Sequence, residues 1–432
     1  MSQSVNLGGY GRALDARRDG VTRRAIAALL LCTASIAGLV ASPLFQTIGP
    51  AEIFYAATMM IPLMSVGIVG GDARPKDNMV LVLLGLYLLS ILISSMVGAL
   101  KGGLVSGIFR SVVPLILPIF VWLSLFRPAS VNLMKLGFLS FVVAGLGQAF
   151  YIFYLYATNV AVALPINGIV ARVTYFDLRP VQPYLLIALA AGAALIVRAN
   201  RARDTVAGLA LFAIGLAAVL FTQTRTFMVI AGLQLPMAVA LVFWSRAVPG
   251  SVKQQALFRL AVSVGMAFFA GIMLLASGRG ANLIESILAR FAGAMDRDDW
   301  AAAVATFDIA SLPTVLFGAG IGSTFDVYGE QVTFVHNGFI YHLLFAGIVG
   351  LLAYTAFVGY VGWRLLNGYL RTGTVTTLAM LLGYLSLIIY TVTFAIYKWP
   401  TYNTMIGFFA LAAASLASAR RGNLISSPAR VG

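Results

Sequence analysis

The chain has 432 residues, of which 60% are hydrophobic and only 10% are charged, and its formal net charge is +15. Its mean hydropathy of +0.94 excludes a soluble globular protein. Apolar runs of about 20 residues, each long enough to cross a bilayer as a helix, recur along the chain, whereas the alternating strands of a membrane barrel are absent. We therefore expect an all-α polytopic membrane protein. Its positive charge follows from membrane topology and needs no nucleic-acid partner.

The apolar runs predict twelve membrane spans. A flexible basic tail, residues 1–24, precedes nine spans within residues 25–277. A long loop, residues 278–335, separates them from three further spans within residues 336–417, and residues 418–432 form a second tail. The predicted spans are residues 25–42, 51–70, 79–98, 111–126, 136–157, 181–197, 205–222, 227–244, 260–277, 336–360, 378–397 and 403–417.

The distribution of basic residues predicts the orientation. With the N-terminus in the cytoplasm, most of the 29 Lys and Arg residues fall in cytoplasmic segments, as the positive-inside rule requires, and both termini are cytoplasmic. The single cysteine, Cys32, lies in the first apolar run, and no Cys/His cluster has metal-ligand spacing, so the sequence predicts no disulfide, metal or cofactor. The basic residues left outside are Lys101, Arg110, Arg172, Arg179, Arg225, Arg279, Arg290, Arg297 and Lys398.

The outer loop of residues 278–335 is too long to lack structure of its own. Residues 282–291 combine the spacing of a helix N-cap with an apolar stripe, which predicts a helix that lies on the membrane or on the bundle. A second short helix is predicted from Trp300 to Ala310, ending before Pro313.

A glycine-rich segment, Gly-Ala-Gly-Ile-Gly at residues 318–322, follows in the same loop. No strand precedes it, so it is not a dinucleotide-binding fingerprint. We predict a tight turn that leads the chain to the next span. The alternative is that its backbone N–H groups approach an anion.

Arg225 is the most informative of the outer basic residues, because residues 222–226 (Thr-Gln-Thr-Arg-Thr) join two apolar runs with almost no loop. An arginine in hydrocarbon costs about 2.5–3.5 kcal/mol on insertion scales, so it is tolerated where it faces a cavity or an anion. The alternative is an interfacial arginine that extends its guanidinium to water. In the preceding outer loop, residues 158–180, Arg172 and Arg179 could each bind phosphate or simply be solvated.

The only two histidines, His336 and His342, lie where the long loop enters an apolar helix. A His-Asn pair such as His336-Asn337 can accept, donate and shuttle a proton near neutral pH. The alternative is an interfacial histidine whose hydrogen bonds are satisfied at the helix start. His342 follows six residues later, so we expect it to face away from the site of His336.

Three motifs between residues 222 and 350 occur in the order and spacing of a known superfamily. The first is a His-Asn pair followed after nine residues by a glycine, the second is a Thr-Arg pair that opens a helix, and the third is an Arg-Trp-Pro series that ends in the glycine-rich turn. In these motifs the chain resembles the O-antigen ligases and Wzy-type polysaccharide polymerases of the bacterial cell envelope. The matching residues are His336, Asn337 and Gly347; Thr224 and Arg225; and Arg290, Trp300, Pro313 and residues 316–322.

The resemblance implies a GT-C-like bundle of about 12 transmembrane helices in the bacterial inner membrane, with a large helical periplasmic loop between helices nine and ten. It implies a metal-independent glycosyltransferase that joins undecaprenyl-diphosphate-linked oligosaccharide repeats at the periplasmic face and releases undecaprenyl diphosphate. Membrane lipids, a chain-length regulator and export proteins are the implied partners. The implied catalytic residues are His336, Arg225 and Arg290, and the implied substrate-binding residues are Asn337, Arg172, Arg179, Trp300 and Tyr328.

Other functions remain open from the sequence. An O-antigen ligase would transfer the lipid-linked glycan to lipid A–core, but residues 348–350 (Ile-Val-Gly) stand where ligases often carry a Thr-Thr pair, which favours the polymerase. A protein O-oligosaccharyltransferase is a related alternative. The alternatives that are not enzymes are a lipid-linked glycan flippase or transporter and a scaffold for envelope synthesis. A transporter is disfavoured because the span interiors hold essentially no charge.

Overall fold

The computed structural model is a bundle of long helices. It describes residues 78–103, 131–158, 183–222, 224–276, 299–305, 307–327, 330–332, 335–393 and 399–425, together with single residues and short groups between 22 and 33, between 108 and 116 and between 285 and 288. Within the described residues, the elements are α1 (Asn78–Leu100), α2 (Val131–Ala157), α3 (Tyr184–Arg198), α4 (Ala202–Thr222), α5 (Arg225–Trp244), α6 (Gly250–Ala276), α7 (Asp299–Ala305), α8 (Leu312–Phe317), β1 (Phe325–Val327), β2 (Glu330–Val332), α9 (Gly338–Thr372), α10 (Val375–Thr393) and α11 (Pro400–Ile425).

Six of the described helices are long and apolar enough to cross a membrane, and the chain is therefore a helical multi-pass membrane protein. Each of the nine long helices in the described part of the chain, α1–α6 and α9–α11, overlaps a predicted span. The predicted spans 25–42, 51–70 and 111–126 lie outside the continuously described residues. The helices that meet the length and hydropathy requirement are α1, α4, α5, α9 and α10, together with Met134–Ala157 of α2.

α3 is the central helix of the bundle, and every residue in it except Leu195 and Arg198 is buried. It packs against α2, α4, α5, α6 and α10. Small residues permit this approach: a Cβ atom on Gly208 of α4 would lie only 2.6 Å from Cβ of Leu195. Close backbone contact through small residues drives helix association where lipid removes the hydrophobic driving force.

The first turn of α3 lies inside the bundle, and side chains of neighbouring helices form hydrogen bonds with its backbone groups. Gln148 of α2 accepts a hydrogen bond from the Leu185 N–H at 2.9 Å. Gln234 of α5 donates to the Leu186 carbonyl at 3.0 Å and to the Ser386 hydroxyl of α10 at 2.9 Å. Backbone groups within a membrane need such partners, because no water is available there.

One end of the bundle, which we call the basic end, carries three helix C-termini held by basic side chains. Arg198 donates to the Gly373 carbonyl, the C-cap of α9, at 2.7 Å. Arg259 donates to two carbonyls at the end of α3, at 2.8 and 3.1 Å. Lys253 donates to the Phe243 carbonyl in the last turn of α5 at 3.0 Å. Each cation thus satisfies terminal carbonyls and interacts favourably with the helix dipole.

α9 is broken at Gly347, whose φ of 67° and ψ of −168° are not helical. Twelve residues of straight helix would separate His342 from Tyr354 by about 18 Å, yet their ring centroids are 4.0 Å apart. Residues 338–346, which we call the re-entrant helix, therefore fold back along the long arm formed by residues 348–372. The prediction of one continuous span over residues 336–360 is wrong at this position.

The glycine-rich turn packs directly on this break. The N–H groups of Ala319 and Gly320 donate to the carbonyls of Leu344 and Phe345, at 2.8 and 3.1 Å, and Ile321 N–H donates to the Ser94 carbonyl of α1 at 3.0 Å. The predicted tight turn is confirmed. The alternative of an anion at these three N–H groups is wrong, because backbone carbonyls already accept from them.

The rest of the loop differs in detail from its prediction. The second short helix is confirmed but ends at Ala305 instead of Ala310, and Pro313 lies in the first turn of α8 instead of in a connection. The antiparallel pair β1 and β2 was not predicted. The predicted helix at residues 282–291 lies largely outside the described residues, of which Glu285, Ile287 and Leu288 are helical.

Candidate functional site

The re-entrant helix begins with a side-chain cap. Asn337 has extended backbone angles, and its Oδ1 accepts from the N–H groups of Phe339 and Ile340 at 3.0 and 3.1 Å. This is the capping geometry that satisfies the first N–H groups of a helix. The amide nitrogen of Asn337 takes no part in the cap, so it is the group on this side chain that can donate to a ligand.

The break gives a physical meaning to the spacing of the His-Asn-x9-Gly motif. Asn337 caps the helix, nine residues form the re-entrant helix, and Gly347 supplies the positive φ that reverses the chain. A Cβ atom at Gly347 would collide with the carbonyl of Leu316. The glycine is therefore required by both its backbone conformation and the close approach of α8.

His336 directly precedes the cap and is partly buried. Because the re-entrant helix folds back, its first turn lies beside the second turn of the long arm: the ring of Phe339 is 5.4 Å from that of Tyr354. The Tyr354 hydroxyl lies 2.9 Å from that of Tyr402, close to the start of α11. The break thus brings His336 and Asn337 back among the helices of the bundle.

A series of contacts connects this region with Arg225. The side chain of Tyr402 interacts with that of Thr391 near the end of α10. Thr393, two residues further, donates to Thr226 of α5 at 2.9 Å. Arg225 is adjacent and is the first residue of α5. The starts of α5, α11 and the re-entrant helix therefore lie at one end of the bundle, which we call the site end.

Arg225 occupies a position that the helix itself disfavours. The N-terminus of a helix carries a partial positive charge, so a cation there is unfavourable by about 0.3–1 kcal/mol. Thr224 is the N-cap of α5 and is buried, but its side chain makes no capping hydrogen bond. A bound anion would interact favourably with both the guanidinium and the helix terminus.

The other site residues predicted from sequence are not tested by this geometry. Arg172, Arg179, Arg290 and Tyr328 lie outside the described residues. Trp300 lies in α7, but its side-chain position is not described. Of the predicted residues, Arg225, His336 and Asn337 lie at the same end of the bundle.

Sequence reasoning missed the aromatic residues that hold the re-entrant helix in place. Tyr87 and Tyr354 are buried and contact His342 of that helix, and Tyr402 is buried next to Tyr354. A tyrosine in an apolar span is common, so the sequence contains no signal for this role. His342, expected to face elsewhere, points into this cluster and is fully buried.

The fold and this site define a helical multi-pass membrane protein with a re-entrant helix at one end of its bundle. Comparison of the chain with models of protein families and with curated proteins found no match. The functional assignment therefore depends on the chemistry of the residues at the site end.

Proposed function

We propose that this chain is a polysaccharide polymerase that joins undecaprenyl-diphosphate-linked oligosaccharide repeats. The observation that supports this most is that Arg225, at a helix N-terminus, lies at the same end of the bundle as the capped His336-Asn337 pair. A cationic helix start that favours anions, at the same end of the bundle as a group able to take a proton, suits a reaction that expels a diphosphate. The resemblance in the three motifs supplies the identity of the donor.

The reaction exchanges one bond to the anomeric carbon for another and transfers one proton. The acceptor hydroxyl oxygen attacks the anomeric carbon of the donor's first sugar, and the bond from that carbon to the diphosphate oxygen breaks. The diphosphate leaves with the electron pair, and His336 accepts the hydroxyl proton. Arg225 stabilises the negative charge that develops on the leaving group, since fixed cations in a site of low dielectric constant act strongly there.

The remaining predicted residues complete this proposal. Arg290, Arg172 and Arg179 would add cations around the diphosphate, and Trp300 or Tyr328 would provide a surface on which a sugar ring stacks. The outer loop between the ninth and tenth of about twelve spans, in a GT-C-like arrangement, would cover the donor glycan. No step requires a metal ion, because the arginines supply the positive charge.

The distribution of charge supports the orientation. The described basic residues concentrate at the basic end, where Arg198, Lys253 and Arg259 hold helix C-termini. The positive-inside rule assigns such an end to the cytoplasm. We therefore place both termini in the cytoplasm of a bacterium and the site end at the periplasmic face of its inner membrane.

The test is to delete the gene and measure the size of the glycans on undecaprenyl diphosphate. Accumulation of single repeats would mean that chain growth has stopped, as expected for the polymerase. Long polymer retained on the lipid would instead identify a ligase. The purified protein in detergent separates both from a transporter, because elongation of lipid-linked repeats in micelles requires an enzyme and cannot result from transport.

A further inference from the structure

His342 connects the re-entrant helix to two other elements of the bundle. Its side chain is fully buried although it belongs to a residue type that is usually at least partly exposed. Its ring stacks on Tyr354 of the long arm, with centroids 4.0 Å apart and an interplanar angle of 5°. Its Nε2 atom lies 2.9 Å from the hydroxyl oxygen of Tyr87 in α1, 255 residues earlier in the chain.

The two ring nitrogens have different roles, which the geometry fixes. Nδ1 is hydrogen-bonded to the carbonyl of Gly338. A carbonyl oxygen can only accept, so Nδ1 carries the proton, and in the neutral ring Nε2 is then an acceptor. The Tyr87 hydroxyl therefore donates to Nε2. One side chain thus joins the first residue of the re-entrant helix to α1.

A second contact holds the other end of the re-entrant helix against the same neighbour. Ser94 of α1 donates to the carbonyl of Phe345 and accepts from the N–H of Ile321 at 3.2 Å. The Ser94 contact fixes the end of the re-entrant helix near the break. The His342 contact fixes the beginning of that helix, which Asn337 and His336 directly precede.

We infer that His342 and Tyr87 are positioning residues for the reaction, because their hydrogen bond fixes the first turn of the re-entrant helix and with it the direction of His336. This inference rests on the proposed function. An apolar side chain at position 342 would fill the same space but would leave rotation of the re-entrant helix about its axis less restricted. Proton transfer requires placement within hydrogen-bond reach, so a small rotation is enough to reduce the rate.

The experiment compares Tyr87→Phe with Tyr354→Phe. Each variant removes one hydroxyl from the same buried aromatic cluster, but only Tyr87 is bonded to the re-entrant helix, since the Tyr354 hydroxyl pairs with Tyr402. We expect Tyr87→Phe to lower kcat about tenfold with donor KM changed by less than about twofold, and Tyr354→Phe to change both by less than about twofold. Similar thermal stability of the two variants would show that folding is not the cause.

His342→Gln serves as the rescue variant, because the Oε1 atom of the glutamine can accept a hydrogen bond from the Tyr87 hydroxyl, as Nε2 of His342 does. We expect His342→Gln to keep more activity than His342→Leu. We also expect the double variant with Tyr87→Phe and His342→Leu to be no less active than His342→Leu alone. Equal loss of kcat in Tyr87→Phe and Tyr354→Phe, or additive losses in the double variant, would overturn the inference.

A readout independent of activity separates this inference from the proposed function. A nitroxide label at His336→Cys, in a Cys32→Ser background, reports the order of the segment before the cap. Tyr87→Phe should increase the mobility of the label, whereas Tyr354→Phe should not. If the wild-type protein forms no polymer while the two labelled variants differ in mobility, the proposed function alone is overturned. If the label is equally mobile in both variants, the positioning role alone is overturned.

Discussion

Arg225 shows how an unfavourable residue can indicate a site. The helix dipole opposes a cation at the first position of α5, and the side chain of the buried N-cap Thr224 makes no capping hydrogen bond. Under the proposed function, a bound diphosphate would interact favourably with the guanidinium and with the helix N-terminus.

Replacing Arg225 should therefore affect the transfer reaction more than stability. We expect Arg225→Ala to lower polymer formation about 10²-fold or more, because the developing negative charge loses a fixed cation. Arg225→Lys should lose less, since it keeps the charge but not the planar fork. The measurement is the rate of elongation of lipid-linked repeats by purified protein.

A matched control is Arg203→Ala. The Arg203 guanidinium is exposed and pairs with the adjacent Asp204 at 3.5 Å. Exposed pairs of this kind contribute little, so activity should stay within about twofold of the wild type. An equal loss in both variants would mean that Arg225 acts only through the overall charge.

His336 is the proposed proton acceptor, so its removal should act on the chemical step. We expect His336→Ala to lower kcat by about 10²–10⁴-fold, with little change in donor KM. The measurement is single-turnover transfer from a labelled donor at saturating acceptor. Retention of full activity would exclude the histidine from the mechanism.

At the scale of elements, the break in α9 determines where His336 lies. A continuous helix would carry the His-Asn pair away from the bundle, whereas the reversal at Gly347 returns it to the level of Tyr354 and Tyr402. The glycine-rich turn satisfies the carbonyls that the break exposes. Backbone groups freed by a helix break within a membrane protein need such partners.

Gly347→Ala should therefore destabilise the protein, whereas Gly359→Ala in the same helix should not. At Gly347, alanine would adopt a positive φ and its Cβ would collide with the Leu316 carbonyl; at Gly359, a Cβ has no atom within 4 Å. We expect Gly347→Ala to lower the free energy of unfolding by about 1–3 kcal/mol or more. We expect Gly359→Ala to raise it by about 0.5–1 kcal/mol. Thermal unfolding in detergent measures both, and equal stability would mean that the break is not required.

The Ser94 contact allows a second test of the same region. Ser94→Ala removes a hydroxyl that joins α1 to the break, while Ser95→Ala removes one that bonds only the Ile91 carbonyl of its own helix among the contacts described. We expect about 1–3 kcal/mol of destabilisation for Ser94→Ala and less than about 1 kcal/mol for Ser95→Ala. Denaturant titration monitored by tryptophan fluorescence would distinguish them.

At the scale of the whole molecule, the two ends of the bundle differ in charge. At the basic end, cations meet helix C-termini, and the dipoles favour them. At the site end, α5 and the re-entrant helix present N-termini, which favour anions. The bundle thus has a polarity of charge: the basic end suits the cytoplasmic face under the positive-inside rule, and under the proposed function these two helix starts would favour the lipid diphosphate.

This polarity predicts an accessibility pattern. In a Cys32→Ser background, Lys101→Cys beyond α1 at the site end should react with a membrane-impermeant maleimide in intact spheroplasts. Arg201→Cys between α3 and α4 at the basic end should react only after permeabilisation. Both positions are exposed, so the difference reports the side of the membrane. The reverse pattern would invert the proposed orientation.

The sequence by itself determined the helical membrane class, the approximate positions of the nine long helices in the described part of the chain, and the candidate pair Arg225 and His336. Hydropathy and charge are local properties, so a window of about 20 residues is sufficient to recognise a span. The motifs were also readable, because each consists of residues close together in the chain.

Only the tertiary structure decided that the His336 helix turns back at Gly347 and that Tyr87 holds it through His342. The His-Asn motif marks Gly347, but no neighbouring residue in the chain shows that the helix reverses there and continues through Gly359. What differs is their surroundings: the Leu316 carbonyl approaches one, and open space surrounds the other. Such contacts join residues far apart in the chain, and they exist only once the helices have packed.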